Sequence, residues 1–353
     1  MRILYIHRGY FPSLAGAETM ARMIARRVQQ RGHVVQLLTG THEDTIQHAA
    51  FDGLTVTAVP SFDPPVLQKI REWQPEILHV IDAVDPSFPH AALTMAQAWK
   101  LPLMITPASA IETWQDSTAT MAVCRAAERV FVLTNAEAER FRRCGVDAKK
   151  LVVTGQGSHL EGTPDPAGFR RRYSITGPLV LFLGRKVSFK GYQILLEATR
   201  HTWAQRDDSM FMFVGPRWDS DCGEQFRTFA DPRIIELEMV EEQEKYSALT
   251  ACDVLCLPTT IDVFPLVFVE AWACGKPVIT ATFPGAAEVI HDGEDGLIVK
   301  PEPVALADAI VALLNDPERR LALGEAGRAR VKRELNWDAV VDCIVEAYYQ
   351  NLG

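Results

Sequence analysis

Two acidic residues mark the most apolar part of this 353-residue chain, residues 253–282. Asp262 precedes a predicted helix from about Pro265 to Ala273, and Glu270 lies inside that helix. Apolar, β-branched runs flank the helix on both sides, so the segment predicts a β-loop-α-β unit. In such a unit the helix N-terminus opens at the carboxyl ends of the strands, where free N–H groups favour an anion such as phosphate.

Glu270 is a charged residue in a helix that is otherwise apolar. Burying a carboxylate without a partner costs several kcal/mol, so the side chain needs hydroxyls or a cation. A bound ligand could supply them, which would make Glu270 functional. A neighbouring Arg or a backbone N–H could satisfy it instead, which would make Glu270 structural, and both interpretations stay open on the residues alone.

A basic cluster, Gly184–Gly191, follows a predicted strand at Leu179–Leu183 and precedes a helix that starts near Tyr192. Arg185 offers a bidentate fork and Lys190 a compact charge, which together suit a diphosphate. A solvated basic loop is the ordinary alternative.

Predicted strands and helices alternate through both halves of the chain, which predicts α/β architecture with mostly parallel sheets. The alternation breaks over residues 151–166, which are rich in Gly, Pro and small polar residues. We therefore predict an N-terminal domain over residues 1–163 and a second over 164–334. An amphipathic helix over 335–353 ends the chain.

Composition favours a globular protein that neither binds nucleic acid nor spans a membrane. The content of 48% hydrophobic and 23% charged residues is ordinary for a globular protein, and the net charge of −9 argues against nucleic acid. No run approaches the eighteen apolar residues of a spanning helix, and the N-terminus lacks a secretory pattern, so we expect a cytoplasmic protein. Seven scattered cysteines indicate reduced thiols.

Basic residues gathered in the first half, at 140–150 and 170–172, are compatible with weak contact to anionic lipid.

Residues 262–279, DVFPLVFVEAWACGKPVI, resemble the E-G-F-P-N-V-x-x-E-A-x-A-C-G-x-P-V-I stretch of the retaining family 4 glycosyltransferases. The resemblance implies the GT-B architecture, in which two Rossmann-like doubly wound domains face each other across a cleft and the last helix crosses back onto the first domain. It also implies that Asp262 contacts the donor sugar and that Glu270 holds the ribose hydroxyls of a nucleotide sugar. The donor phosphate would meet the segment of Phe264, Leu266 and Val267, through the backbone of the last two.

Three further stretches resemble motifs of the same family. Gly184–Gly191 is similar to G-R-x4-K-G, which implies that Arg185 and Lys190 neutralise the departing diphosphate, with Lys186 solvated. Phe11–Glu18 resembles P-x-x-G-G-A-E, which implies that Gly16 approaches the donor, with Ala15 replacing the first glycine. Val240, after a predicted strand, falls where the family holds the base.

Two features depart from that family pattern. Many members read T-x-H-G where this chain has Thr106-Pro107-Ala108-Ser109, so Ala108 replaces a histidine that faces the reacting sugar. We expect the nearby His79 to lie at the end of another element. Asp219-Ser220-Asp221 is a D-x-D, the metal signature of the other large glycosyltransferase architecture, but three residues are a weak pattern and we expect no metal site.

Together these features predict a metal-independent, retaining hexosyltransferase that needs no cofactor beyond its nucleotide-sugar co-substrate. The acceptor would be a saccharide, a glycolipid or a small molecule, and the enzyme could touch the inner face of the membrane through its N-terminal domain. A donor-binding protein without transfer activity, a nucleotide-sugar epimerase and an enzyme that couples a non-sugar acceptor remain alternatives.

Overall fold

Short, continuous apolar runs form the strands of two sheets. The computed structural model describes residues 1–9, 16–41, 47–51 and 53–352. Within them, the chain divides into one unit of residues 1–156 with 337–353 and another of residues 157–336. No helix in these ranges is both long and apolar enough to cross a membrane.

The first unit contains an eight-stranded sheet in the order β3-β4-β2-β1-β5-β6-β7-β8. All neighbouring strands are parallel except the β3–β4 pair. Its strands are β1 (Arg2–Ile6), β2 (Val34–Gly40), β3 (Gln47–Phe51), β4 (Leu54–Val59), β5 (Ile77–Ile81), β6 (Leu103–Thr106), β7 (Arg129–Val132) and β8 (Leu151–Val153). The helices between them are α1 (Gly16–Gln30), α2 (Pro64–Glu72), α3 (Ser87–Trp99), α4 (Ser117–Ala126) and α5 (Asn135–Arg143).

The second unit contains a six-stranded, wholly parallel sheet in the order β11-β10-β9-β12-β13-β14. Its strands are β9 (Leu179–Leu183), β10 (Met210–Val214), β11 (Ile234–Leu237), β12 (Val254–Leu257), β13 (Val278–Ala281) and β14 (Gly296–Val299). Its helices are α6 (Pro166–Arg172), α7 (Tyr192–Trp203), α8 (Cys222–Thr228), α9 (Glu242–Ala251), α10 (Leu266–Ala273), α11 (Ala286–Val289), α12 (Pro303–Asn315) and α13 (Pro317–Arg333). Every residue of β9, β10, β12 and β13 is buried, as expected for parallel strands covered on both faces.

The last helix, α14 (Trp337–Tyr349), belongs to the first unit and is attached to the middle of its sheet by a buried polar chain. The Tyr348 hydroxyl lies 2.9 Å from the Tyr5 hydroxyl and 2.5 Å from His79 Nδ1. The other ring nitrogen of His79 lies 2.8 Å from Thr106 Oγ1. His79 is the central residue of β5, so the expectation that it ends an element was wrong. Burial lowers the pKa of His79 to about 3, which keeps the ring neutral.

Candidate active site

Two loops meet at the carboxyl ends of the neighbouring parallel strands β9 and β12. The Thr260 amide, in the loop after β12, donates to the Phe189 carbonyl at 2.8 Å, in the loop after β9. Gly191 ends the β9 loop with φ of +77°, and a Cβ there would lie 2.2 Å from the Pro258 carbonyl oxygen. Glycine is required on both counts, because side chains disfavour this φ and the other loop occupies the space.

This junction brings Lys190 and Asp262 into direct contact. The Lys190 ammonium lies 2.5 Å from Asp262 Oδ2, and the two side chains are only 18% and 14% exposed. The other carboxylate oxygen of Asp262 accepts from the Val263 amide at 3.0 Å. Lys190 and Asp262 were both predicted to act on the donor, and although they are 72 positions apart in sequence, their side chains are in contact.

Arg185, the third residue predicted to be catalytic, lies over an exposed aromatic ring. Its guanidinium carbon is 5.0 Å from the centre of the Trp218 indole, which is 61% exposed. Trp218 follows β10, and its amide donates to the Lys186 carbonyl at 3.1 Å, so the segments after β9 and β10 run side by side. The sequence analysis did not single out Trp218, although a lone Trp in a polar loop was the available signal.

Lys186 was expected to be solvated, and that expectation was wrong. The side chain is fully buried, with Nζ 3.0 Å from Glu236 Oε1 and donating to the Leu237 carbonyl at 2.9 Å. A buried ammonium is tolerated when a carboxylate and a further acceptor replace its water. Lys186 thus joins the end of β9 to β11 and is not available to a ligand.

Glu270 is 1% exposed and its partner is a lysine rather than an arginine or a backbone N–H. Lys245 Nζ, from α9, donates to Glu270 Oε1 at 2.9 Å and also lies 2.7 Å from the Glu242 carboxylate. Burial raises the pKa of Glu270, and the nearby Lys245 charge opposes that rise. The sequence analysis missed Lys245, since nothing in the pattern of α9 distinguishes it from a surface lysine.

The remaining predicted donor contacts lie at element ends. Leu266 and Val267 open α10, where first-turn amides have no partner inside the helix. The side chain of Phe264 is buried just before them, and Val240 is half-buried in the segment after β11. Gly16 is the first residue of α1 in the first unit. The replacement at Ala15 lies outside the described residues.

The D-x-D carboxylates are held by glutamines. Asp219 accepts from Gln193 Nε2 at 3.2 Å, and Asp221 accepts from Gln225 Nε2 at 2.7 Å. Across the described residues, no group of three or more His, Cys, Asp or Glu side chains is arranged to hold a metal ion. Metal independence itself stays a prediction.

Polar or strained residues follow three neighbouring strands of the first sheet. Ala108, after β6, has φ of +58°, and Asp82, after β5, has φ of +83°. The two segments are joined by a hydrogen bond from the Asp82 amide to the Thr106 carbonyl at 2.9 Å. His7, after β1, is buried, and its Nε2 has no hydrogen-bond partner in the part of the chain that the structure describes. Left-handed backbone at residues other than glycine is costly and clusters at functional sites. The sequence analysis singled out Ala108 but not Asp82 or His7.

Two family models match this chain, one in each unit. A model described as "Glycosyl transferase 4-like domain" matches residues 15–157, and one described as "Glycosyl transferases group 1" matches residues 170–330. The chain belongs to the family 4 glycosyltransferases. The family predicted from the motifs is therefore confirmed, and so is the predicted transfer of a glycosyl group.

Curated relatives agree with that membership. The phosphatidyl-myo-inositol mannosyltransferase of Mycobacterium leprae is 28% identical over 376 residues, which covers 99% of this chain and 96% of the relative. A GDP-mannose-dependent monoacylated alpha-(1-6)-phosphatidylinositol monomannoside mannosyltransferase of Corynebacterium glutamicum is 31% identical over 206 residues. That match covers 55% of this chain and 51% of the relative.

Solved structures confirm the predicted GT-B fold. Anabaena Alr3699/HepE in complex with UDP and glucose matches with a TM-score of 0.82 at 20% identity, over 99% of this chain and all of that one. The sucrose-phosphate synthase of Thermosynechococcus elongatus also matches, with a TM-score of 0.82 at 22% identity, over 99% of this chain and 98% of that one.

Proposed function

We propose that this glycosyltransferase is a retaining, metal-independent hexosyltransferase that transfers a hexose from a nucleoside-diphosphate sugar to a hydroxyl of a saccharide or glycolipid. The observation that carries the proposal is the contact between Lys190 and Asp262 in the loops that lead to α7 and α10. It joins a diphosphate-binding cation and a sugar-binding acid at the strand ends where an α/β unit binds phosphate.

Leaving-group stabilisation is the main task that we assign to this site. As the bond between sugar and diphosphate breaks, negative charge builds on the diphosphate oxygens. The Lys190 ammonium, the Arg185 guanidinium and the first-turn amides of α10 would balance that charge without a metal ion. Asp262, held by Lys190 and by the Val263 amide, would accept a hydrogen bond from a donor-sugar hydroxyl.

In this proposal the sugar keeps its anomeric configuration, because the acceptor hydroxyl attacks from the same face of the sugar that the diphosphate leaves. A retaining hydrolase places a second carboxylate about 5–5.5 Å from its acid as a nucleophile. Asp262 is engaged by Lys190 in an ion pair and is therefore assigned to binding rather than to covalent attack.

The names of the relatives suggest which substrates to test first. Several are named as acting on phosphatidyl-myo-inositol or on D-inositol 3-phosphate, and one as depending on GDP-mannose. We therefore place GDP-mannose first among donors and inositol-containing acceptors first among acceptors.

A thermal-shift screen with UDP, GDP, ADP and dTDP sugars, followed by transfer assays with the radiolabelled donor, tests the proposed function. A ligand at 100 times its Kd stabilises the protein by about 2.7 kcal/mol, which such a screen detects. We expect release of nucleotide together with a new glycoside of unchanged anomeric configuration. Lys190→Gln and Asp262→Asn should each lower turnover at least about tenfold, equivalent to about 1.4 kcal/mol.

Other outcomes would assign the protein differently. An altered donor sugar without a glycoside would indicate an epimerase, and binding without turnover would indicate a donor-binding protein. A glycoside of inverted configuration would contradict the retaining mechanism while leaving the family intact.

We further propose a weak, peripheral contact of the first unit with anionic lipid. Part of its basic cluster is already neutralised, because Arg140 pairs with Glu112, and Arg142 and Arg143 pair with Glu139. Co-sedimentation with phosphatidylglycerol vesicles at low salt should therefore be modest and should vanish at 0.5 M salt, where the Debye length falls to about 4 Å. Equal binding to neutral vesicles would contradict this proposal.

A further inference from the structure

Lys245 holds the buried carboxylate of the predicted ribose-binding residue. It lies in α9, 25 positions before Glu270 in α10, and its ammonium donates to Glu270 Oε1 at 2.9 Å. Both side chains are largely buried, at 14% and 1% exposure. Removing two charges from water costs free energy. We therefore ask whether this pair stabilises the fold or assists the binding of a ligand.

We propose that Lys245 is a positioning residue for donor binding: it keeps Glu270 ionised and fixes the direction in which Glu270 meets the ribose hydroxyls of the nucleotide. The inference rests on the proposed function, because it assigns a role to a side chain behind the same donor site. Lys245 itself would not touch the donor.

The charges around Glu270 support this role. Burial raises the pKa of Glu270, so without a cation beside it the side chain would tend toward the neutral acid. Burial opposes a charge on Lys245 too, but Glu270 and Glu242 together raise its pKa. The second acid, Glu242, is 2.7 Å from the same ammonium and is the more exposed of the two. Cys274 is the other titratable neighbour, and burial followed by the Glu270 charge raises the pKa of its thiol to about 12.

The hydrogen-bond geometry leaves part of Glu270 available. Lys245 contacts Oε1, and in the described part of the chain the structure gives Oε2 no hydrogen bond. A carboxylate can accept about four hydrogen bonds, so two hydroxyls of one ribose can be received while Lys245 stays in place. An ionised acceptor makes these bonds roughly twice as strong as a neutral acid would.

The test compares ribose recognition with stability. Isothermal titration calorimetry would measure the Kd of GDP, UDP and ADP and of their 2′,3′-dideoxy counterparts, and the ratio between the two forms reports the ribose contact. Lys245→Met removes the charge and the donor. Lys245→Gln keeps a donor without a charge, and it decides the question if Lys245→Met does not fold. Lys245→Arg keeps the charge.

Two substitutions, one on α9 and one on the neighbouring α6, serve as controls. Glu242→Gln removes the charge of the second, half-buried acid beside Lys245 while keeping the contact between Lys245 and Glu270. Arg172→Met breaks the exposed pair between Arg172 and Glu244 of α9, at 3.0 Å, which is not part of the donor site.

We expect the wild type to prefer the ribose form by about tenfold or more, the scale of hydrogen bonds to a charged group. Lys245→Met and Lys245→Gln should bring this ratio close to one, Lys245→Arg should keep most of it, and both controls should keep all of it. If Lys245→Met or Lys245→Gln lowers the melting temperature but keeps the wild-type ratio, Lys245 is purely structural and the inference is wrong.

The failures of the two proposals are distinguishable. A wild type that binds none of the three diphosphates contradicts the proposed function, and the inference with it. A wild type that binds one of them but shows no ribose preference contradicts the role of Glu270 and Lys245 alone.

Discussion

Charged residues in and around the candidate site act as pairs rather than as isolated groups. Lys190 is paired with Asp262, Lys245 with Glu270, and Lys186 with Glu236. Removing one partner of a buried pair costs about 3–5 kcal/mol, because the other is left uncompensated. Substitutions at this site should therefore be isosteric and neutral, such as Glu270→Gln, since Glu270→Ala would mix lost binding with lost stability.

Ala108 is the residue whose replacement best tests how the donor sugar is received. Its φ of +58° suits His, which is enriched in left-handed backbone, so Ala108→His should fold. In a working transferase the imidazole would fill space that the native sugar occupies. Turnover should then fall by about tenfold for each 1.4 kcal/mol of lost complementarity, as measured in single-turnover assays with the donor identified by the screen.

The matched control for that substitution is Ala108→Gly, which suits the same backbone and adds no side chain. It should leave turnover close to the wild-type value. If wild type shows no turnover with any acceptor and Ala108→His gains donor hydrolysis, the chain has lost transfer activity and binds donors only.

At the scale of elements, Gly191 joins the β9 loop to α7 and sets the distance to the β12 loop. Gly191→Ala places a methyl group against the Pro258 carbonyl and forces a disfavoured φ, which costs about 1–2 kcal/mol before any clash. We expect lower stability and a loss of nucleotide affinity, because Lys190 and Asp262 can no longer meet in the same geometry. Thermal unfolding and calorimetry on the same sample check both effects.

Gly53→Ala is a suitable comparison, since Gly53 also has positive φ, at +77°, but has no atom within 4 Å of the added carbon. It should lose stability without losing affinity. Normal nucleotide binding by Gly191→Ala would show that the two loops are not coupled.

The N-terminus of α5 carries two capping hydrogen bonds that make stability depend on pH. Thr134 Oγ1 accepts from the Glu137 amide at 3.0 Å, and Glu137 Oε2 accepts from the Leu133 amide at 2.7 Å. Burial raises the pKa of Glu137 to about 8. The folded state therefore binds more protons than the unfolded state between its unfolded pKa, about 4.3, and 8, so this residue lowers stability as pH rises through that window.

Glu137→Gln keeps the acceptor and cannot ionise, so it should become more stable relative to wild type as pH rises from 5 to 8. A gain of about 1 kcal/mol or more is expected, since one pKa unit corresponds to about 1.4 kcal/mol. Urea unfolding at several pH values measures it. Glu139→Gln, at an exposed acid of the same helix, should show no such trend over this range, and a flat difference for Glu137→Gln would contradict the assignment.

At the scale of the whole molecule, the alternation of apolar runs was enough to predict two mostly parallel sheets with helices between their strands. Fully buried strands appear in sequence as short, continuous apolar segments, and β9, β10 and β12 all have this form. The sequence placed the domain boundary after residue 163 and the last helix at 335–353. The structure ends its first unit after residue 156 and starts α14 at Trp337.

Contacts between distant elements could not be predicted in the same way. Lys186, Lys245 and His79 are polar residues whose burial depends on partners 25 to 269 positions away. Each pairing is decided by which elements become neighbours in the sheet or on its face, and no local pattern contains that information. Arg185, Lys190, Asp262 and Glu270 were found because their motifs are local, and their roles toward the donor stay predictions.

The last prediction concerns the reaction as a whole, which should proceed in the presence of a chelator. A diphosphate can be balanced by Arg185, Lys190 and the helix amides, and the carboxylates of Asp219 and Asp221 accept from glutamines in this structure. Turnover in 5 mM EDTA should match turnover without it, and Asp219→Asn should change turnover less than about twofold, because it removes at most one long, partly buried hydrogen bond. Lys190→Gln, measured beside it, should abolish most activity with or without the chelator. If EDTA stops the reaction, if Mn²⁺ or Mg²⁺ restores it and if Asp219→Asn prevents the recovery, then the D-x-D is a metal site and the cationic account of leaving-group stabilisation is wrong.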